Sequence, residues 1–179
     1  MAINKIAPRG RAELARRALR DVNLPASYVA PASKRLYVSK FAKPNDLEAV
    51  ITAQRRPVSL SRFVVGSVRP GAAEKVRVMV KQGSPQDLEG AFLIRLRSGS
   101  ALTDAQHNMG LAIRLPKGQT PTATSAAKEI APGLFLLYGP SLAQLLENRA
   151  GTGLVFDIAP DLEQDLLRET ARLLELNLA

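Results

Sequence analysis

The arginines are the residues of this sequence best suited to bind a partner. They form two clusters, one within residues 9–20 and one at residues 55–56. A guanidinium group presents fixed, planar donors that match phosphate and carboxylate groups. Both clusters therefore predict contact with a polyanion. The candidate contact residues are Arg9, Arg11, Arg16, Arg17, Arg20, Arg55 and Arg56.

The placement of charge along the chain supports this prediction. The formal net charge is +9, and residues 1–90 carry 17 Lys and Arg against 7 Asp and Glu. Residues 91–179 carry 8 against 9. A basic half favours a polyanionic neighbour, either nucleic acid or an acidic protein. A solvated basic surface that serves solubility explains the same pattern, and the sequence does not separate these alternatives.

Residue types that carry catalysis or bind metals are scarce. The chain has no Cys and one His, His107, in a polar segment. Thiolate metal sites, disulfides and a Ser-His-Asp triad are therefore not expected. Asp161 and Asp165 lie one helical turn apart without a second set of ligands, and the helix dipole explains acidic residues near a helix start. We expect no enzyme activity, no metal site and no cofactor.

The length and the hydropathy of the chain limit its organisation. A length of 179 residues favours a single domain, 1–179, with residues 1–33 able to form an extended N-terminal arm. No apolar run approaches the roughly 18 residues of a membrane span. Residues 1–11 lack the apolar core of a signal peptide. We expect no membrane partner.

The first arginine cluster lies on a predicted helix. Residues 2–22 favour a helix that is interrupted near Pro8, with an apolar face that includes Leu14 and Ala18. Several strands with alternating apolar and polar residues follow, and the clearest of them is KVRVMVK at residues 75–81. This alternation is typical of an antiparallel sheet with one covered face. The predicted strands are 34–40, 47–54, 58–65, 75–81, 91–97, 110–115 and 134–138, and turn-rich connectors are predicted at 83–90, 98–108 and 116–127.

The last part of the chain predicts two helices. After the strand at residues 134–138, Gly139-Pro140 predicts a turn and Ser141 begins a short amphipathic helix that stops at Gly151 and Gly153. Residues 151–156 are expected to be extended. A final amphipathic helix covers residues 161–178, opened by Pro160. Its apolar stripe consists of Leu162, Leu166, Leu173 and Leu176, and Leu167 and Leu174 widen it enough to suit a subunit interface.

The predicted fold class is therefore α+β. A mostly antiparallel sheet is packed by an N-terminal basic helix, a short helix after the YGPS turn and a C-terminal amphipathic helix.

Several segments, taken in order, resemble the prophage minor tail protein Z, or tail-completion, family of tailed bacteriophages. The resemblance covers nearly the whole chain, and the segments at 47–63 and 134–146 carry most of it. The segments are AINK at 2–5 with the Arg-rich helix after it, RLYVSK at 35–40, LEAVITAQRRPVSLSRF at 47–63, VRVMVK at 76–81, GAFLIRL at 90–96, NMGLAIRL at 108–115 and LFLLYGPSLAQLL at 134–146.

The resemblance implies a structural role in the virion, with no catalytic residues. Proteins of this family act at the head–tail junction or the top of the tail. The implied protein is a homo-oligomeric ring around the DNA channel, assembled in the host cytoplasm. Its partners are neighbouring tail and connector proteins, together with the backbone of phage DNA. The acidic C-terminal helix departs from more basic members of the family.

A free basic nucleic-acid-binding protein of a phage or bacterium is the alternative. Such a protein shares the basic half and predicts binding by a monomer or dimer, with Tyr37 or Phe41 stacked on bases. Tyr37 packing on a sheet face is the other interpretation of the same residue. The low aromatic content of 4% counts against the stacking hypothesis.

Overall fold

The fold is α+β, as the sequence predicts. The computed structural model contains four α-helices and nine strands within the described residues, and the strand pairs with a described register are antiparallel. The described residues are 1–71, 75–97, 108–116, 118–122, 126–147 and 154–178. The predicted loop around His107 and the helix stop at Gly151 and Gly153 lie outside them.

The chain contains two compact units, and the single domain 1–179 stays a prediction. Unit 1 comprises Met1–Asp21, Pro25–Arg56 and Ser141–Ala179, and unit 2 comprises Val22–Leu24 and Pro57–Pro140. The predicted arm at residues 1–33 contributes most of its length to unit 1, where Ile6, Leu14 and Ala18 are buried.

Unit 1 combines helices with a two-stranded sheet. The strands β1 (Leu36–Lys40) and β2 (Val50–Ala53) pair with Leu36 opposite Ala53 and Val38 opposite Ile51. The helices α1 and α3 pack against this hairpin. The helices of the unit are α1 (Ala2–Asp21), α2 (Ala26–Val29), α3 (Leu142–Leu146) and α4 (Leu154–Leu178), with a 3-10 turn at Pro31–Ser33.

The two long helices of unit 1 run antiparallel and in close contact. A Cβ atom on Gly10 would lie 2.9 Å from a terminal carbon of Leu162. Lys5 Nζ lies 2.8 Å from Glu169 Oε1, so a residue nearer the start of α1 meets a residue nearer the end of α4. The small residue at position 10 is what allows the helix axes to approach at this point.

Unit 2 is built on antiparallel strands. The main sheet has the order β3-β9-β7-β6, and β8 also pairs with β9. A separate hairpin is formed by β4 and β5, in which Val76 and Val78 are buried, as the sequence predicts. The strands are β3 (Pro57–Ser59), β4 (Val76–Val78), β5 (Gln86–Leu88), β6 (Ala91–Arg95), β7 (Met109–Arg114), β8 (Ala126–Ala131) and β9 (Leu134–Ser141).

Two predicted features at prolines, a helix interruption and a turn, are wrong. Pro8 lies inside a continuous α1 and does not interrupt it, since buried Ile6 and Leu14 on either side hold the helix in place. The predicted turn at Gly139-Pro140 is also wrong, because β9 continues through both residues to Ser141. Ser141 then caps α3, accepting a hydrogen bond from the Gln144 backbone N–H at 3.1 Å.

Further boundaries differ where the apolar pattern is ambiguous. The predicted strand at 58–65 turns into a 3-10 helix at Leu60–Phe63, which buries both end residues on one side of the turn. The predicted connectors at 83–90 and 116–127 contain β5 and the first residues of β8. The final helix begins at Leu154, so the described part of the predicted extended segment 151–156 is helical and Pro160 lies within the helix.

The close approach of α1 and α4 predicts the effect of a larger residue at position 10. Gly10→Leu should lower the free energy of unfolding by about 1–3 kcal/mol, because overpacking forces neighbouring side chains to move. Ala12→Leu, at an exposed position of the same helix, should change it by less than about 0.5 kcal/mol. Urea unfolding of both variants measures the difference, and equal stabilities would show that the helices tolerate wider spacing.

Candidate contact surfaces

The outward face of α1 carries a stripe of four cations. Lys5, Arg9, Arg16 and Arg20 are spaced by four, seven and four residues, which places them on one side of an α-helix. All four side chains are exposed. Arg16 pairs with Glu13 one turn before it, and Arg20 Nε lies 3.0 Å from Asp21 Oδ1. Exposed pairs of this kind are weak, so Arg9, Arg16 and Arg20 remain available to a stronger anionic partner, whereas Lys5 pairs with Glu169 of α4.

Arg11 faces the opposite way and acts within unit 1. Its Nε donates to the backbone carbonyl of Leu36 at 3.0 Å, and its terminal NH2 group donates to the carbonyl of Val29. Partial burial lowers its pKa. The guanidinium thus joins α1 to the start of β1 and to the end of α2, and its donors are engaged by backbone carbonyl groups.

Arg17 is directed towards acidic residues of α4. Its Nε lies 2.9 Å from Glu13 Oε1, and its terminal nitrogens lie 3.4 Å from Asp161 Oδ2 and 4.0 Å from Asp157 Oδ2. Its side chain is mostly covered. Two of the predicted contact arginines, Arg11 and Arg17, are therefore engaged inside unit 1, whereas Arg9, Arg16 and Arg20 lie together on the outward stripe.

The second predicted cluster lies at the end of the hairpin rather than on α1. Arg55 and Arg56 directly follow β2, and both are exposed. Arg55 makes no hydrogen bond or ion pair with any residue that the structure describes. The structure therefore keeps these two arginines on the surface but on a different element from the α1 stripe.

The pairing of acidic residues on α4 with cations of α1 is the feature that sequence reasoning missed. Asp157, Asp161 and Glu169 lie on the side of α4 that meets α1, where they pair with Arg17 and Lys5. Their spacing in multiples of four residues gave the available signal, because it places negative charge along one side of a helix. Part of the basic charge of the N-terminal half is thus neutralised by the acidic C-terminal helix of the same chain.

A similar local neutralisation occurs on the hairpin of β4 and β5. Arg77 and Lys75 approach Asp87, with nitrogen–oxygen distances of 2.8 and 3.1 Å. Hydrogen bonds from Arg77 first and Lys75 second lower the pKa of Asp87 to about 2. The outward cations of the predicted KVRVMVK strand are therefore partly paired with the adjacent strand.

The outer face of α4 presents apolar side chains to solvent. Leu167 and Leu174 are 65% and 58% exposed, and the intervening Ala171 is exposed as well. These residues are spaced by four and three positions and lie on one face, whereas Leu162 and Ile158 belong to the packed side. The predicted interface leucines therefore form an apolar surface that unit 1 itself leaves uncovered.

Within the described ranges, no group of three or more His, Asp or Glu side chains is placed to hold a metal ion. The same part of the chain has no helix that is both long and apolar enough to cross a membrane.

Glu169 links the two long helices through charge, which predicts a pH-dependent contribution to stability. Hydrogen bonds from Arg172 first and Lys5 second lower the pKa of Glu169 to about 2. A carboxyl group with a lowered pKa in the folded state stabilises the protein above its unfolded pKa, and this stabilisation is lost as the pH falls towards 2. Glu169→Gln should therefore lower the Tm at pH 7 by about 1–3 °C.

The difference between Glu169→Gln and the unchanged protein should shrink as the pH falls through the folded-state pKa of about 2 and vanish below it, once the Glu169 carboxyl group is protonated. Glu175→Gln provides the control, because Glu175 is exposed on the same helix and makes no ion pair with a described residue. Thermal unfolding followed by circular dichroism across this pH range gives both values. A Tm difference that does not change with pH would assign the effect of Glu169 to packing.

Comparison with known proteins found no matching family model, no matching curated protein and no matching solved structure. The likeness to the tail-completion family therefore rests on the ordered segments of the sequence.

Proposed function

We propose that this chain is a structural protein of a tailed bacteriophage virion that completes the tail and joins it to the head. In this role several copies form a ring around the DNA channel, between the tail and the connector. The observation that carries the proposal is the outer face of α4, where Leu167 and Leu174 are largely exposed. Exposed apolar side chains on one face of a helix suit a subunit interface. The ring is the assembly that the resemblance of the ordered sequence segments to the tail-completion family implies.

A closed ring sets a requirement on the surface of each subunit. Every copy must use two different patches, one for each neighbour, because a head-to-tail contact is not self-complementary. The outer face of α4 is our candidate for one patch. In such a ring the functional residues lie in the interfaces between neighbouring copies, which fits a structural rather than a catalytic role.

The cation stripe on α1 supplies the proposed contact with DNA or with an acidic neighbouring protein. From Lys5 to Arg20 the stripe extends about 22 Å along the helix. Contacts from such a stripe to phosphate groups would be independent of sequence and sensitive to salt. This suits a protein that must hold DNA of any sequence in a channel.

The stripe predicts a specific change in the salt dependence of DNA binding. Replacing Arg9, Arg16 and Arg20 by Gln should weaken duplex binding and reduce the slope of log K against log salt by about 3, because each phosphate contact contributes about one. Fluorescence anisotropy between about 50 and 200 mM salt measures the slope. The matched control is the triple Gln variant of the exposed arginines Arg69, Arg95 and Arg114 of unit 2.

The control variant removes the same charge and should retain the slope of the unchanged protein. Equal losses in both variants would assign binding to net charge. Retention of full binding without the stripe would leave an acidic protein as the partner of these arginines.

A free nucleic-acid-binding protein is the second candidate, and exposed aromatic side chains favour it. Tyr37 and Phe41 are 40% and 49% exposed on β1 and directly after it, among several basic residues. Aromatic side chains in such surroundings can stack on unpaired bases. This candidate predicts a monomer or dimer that binds single strands, with a loss of affinity when Tyr37 is replaced by Ala.

Immunogold electron microscopy separates the two functions. Antibody against this chain should label the head–tail junction of whole particles or the top of free tails, with mildly disrupted heads and tails examined in parallel. Absence of label from every particle component, while the protein is abundant in the lysate, would contradict the neck role and favour the free nucleic-acid-binding protein.

A further inference from the structure

One end of unit 1 gathers a second set of exposed apolar side chains. Asn4, near the start of α1, holds the backbone of Ala42 through two hydrogen bonds of 2.7 and 2.9 Å. The next residue of α1, Lys5, pairs with Glu169 of α4. The loop between β1 and β2 and the last turns of α4 therefore lie at the same end of α1.

Three large apolar side chains are exposed at this end. Phe41, Leu47 and Leu176 are 49%, 66% and 62% exposed. Leu176 lies on the side of α4 that faces α1, two helical turns beyond Glu169, and so past the last ion pair between the helices. We name Phe41, Leu47 and Leu176, with the neighbouring Lys43, the end patch.

Hydrogen bonds and ion pairs tie down the loop that carries most of the end patch. Besides the two bonds from Asn4, the backbone groups of Lys43 and Asp46 bond each other in both directions, at 2.8 and 3.0 Å. Lys40 Nζ pairs with Asp46 and Glu48 across the loop. A surface that is ordered before binding loses less conformational entropy on association. The end patch thus has the rigidity expected of a protein-binding surface.

We infer that the end patch binds the outer face of α4 from the next copy of this chain. This inference rests on the ring of the proposed function and identifies its second patch. The two surfaces are different, one on the side of α4 and one at the end of unit 1, as a head-to-tail contact requires. Both present exposed apolar side chains, which is typical of the buried core of interfaces between identical chains.

The charges of the two surfaces are complementary. Lys43 lies in the end patch, and Glu163 lies one turn before Leu167 on the outer face of α4. Neither side chain forms an ion pair with any residue that the structure describes, and both are exposed. A contact between copies pairs Lys43 with Glu163 beside the apolar side chains. Such complementarity fixes which surfaces meet and how they are aligned.

A mixing experiment tests this contact directly. Leu47→Asp removes the end patch of one copy, and Leu174→Asp removes the outer face of α4 from another. Each variant alone should be a monomer of 19.3 kDa, because every head-to-tail contact contains one altered surface. An equimolar mixture retains one intact contact per pair and should form a heterodimer of twice that mass, but no ring. Native mass spectrometry of the full chain measures all of these species.

A charge exchange provides a second test that does not depend on burying an aspartate. Lys43→Glu and Glu163→Lys should each weaken assembly about 3–10-fold at low salt. The double variant carrying both changes should recover the assembly of the unchanged chain. Val65→Asp is the control, because Val65 is an exposed apolar residue of unit 2 and its replacement should leave the oligomer intact.

The outcomes distinguish this contact from the proposed function. A Leu47→Asp variant that keeps the full oligomer overturns the contact and leaves the ring in place. A mixture of the two monomeric variants that forms no heterodimer has the same meaning. Failure of the double charge exchange to recover assembly also contradicts the pairing. A wild-type chain that stays monomeric at every concentration overturns the ring itself and the contact with it.

Discussion

The antiparallel contact between α1 and α4 is the interaction on which the arrangement of unit 1 depends. Gly10 allows the helices to approach, and ion pairs from Lys5 and Arg17 fix their alignment. The contact occupies one side of each helix. It thereby determines which cations of α1 and which leucines of α4 are left facing solvent, so the same packing creates both candidate contact surfaces.

This contact also explains why charge counted along the sequence overstates the basic surface. Arg17 and Asp161 are separated by 144 positions, and no pattern of neighbouring residues in the sequence predicts that they meet. Arg11 is likewise removed from the surface by the backbone carbonyls of Leu36 and Val29. What remains exposed is Arg9, Arg16 and Arg20 on the α1 stripe, with Arg55 and Arg56 after β2, a smaller basic surface than the seven predicted arginines.

The strands show where sequence patterns were sufficient and where they were not. Strands whose burial alternates along the chain, such as β1 and β4, have the alternating residues that predict them. The strands β5 and β8 have mostly exposed side chains, so no apolar alternation marks them. Their conformation is fixed by backbone hydrogen bonds to β4 and β9, which a sequence pattern does not contain.

The sequence predicted that these segments are helical. Which side of each helix is exposed depends on the element that packs against it. A broad apolar stripe on α4 predicts burial of one side and an interface on the other, without saying which leucines belong to which. Leu162 meets α1 at Gly10, whereas Leu167 and Leu174 point away and Leu176 lies past the last ion pair to α1. The apolar residues of α4 that α1 does not cover thus lie in two places, on the side and at the end of unit 1. A subunit that joins two neighbours through unlike patches needs apolar surface at both.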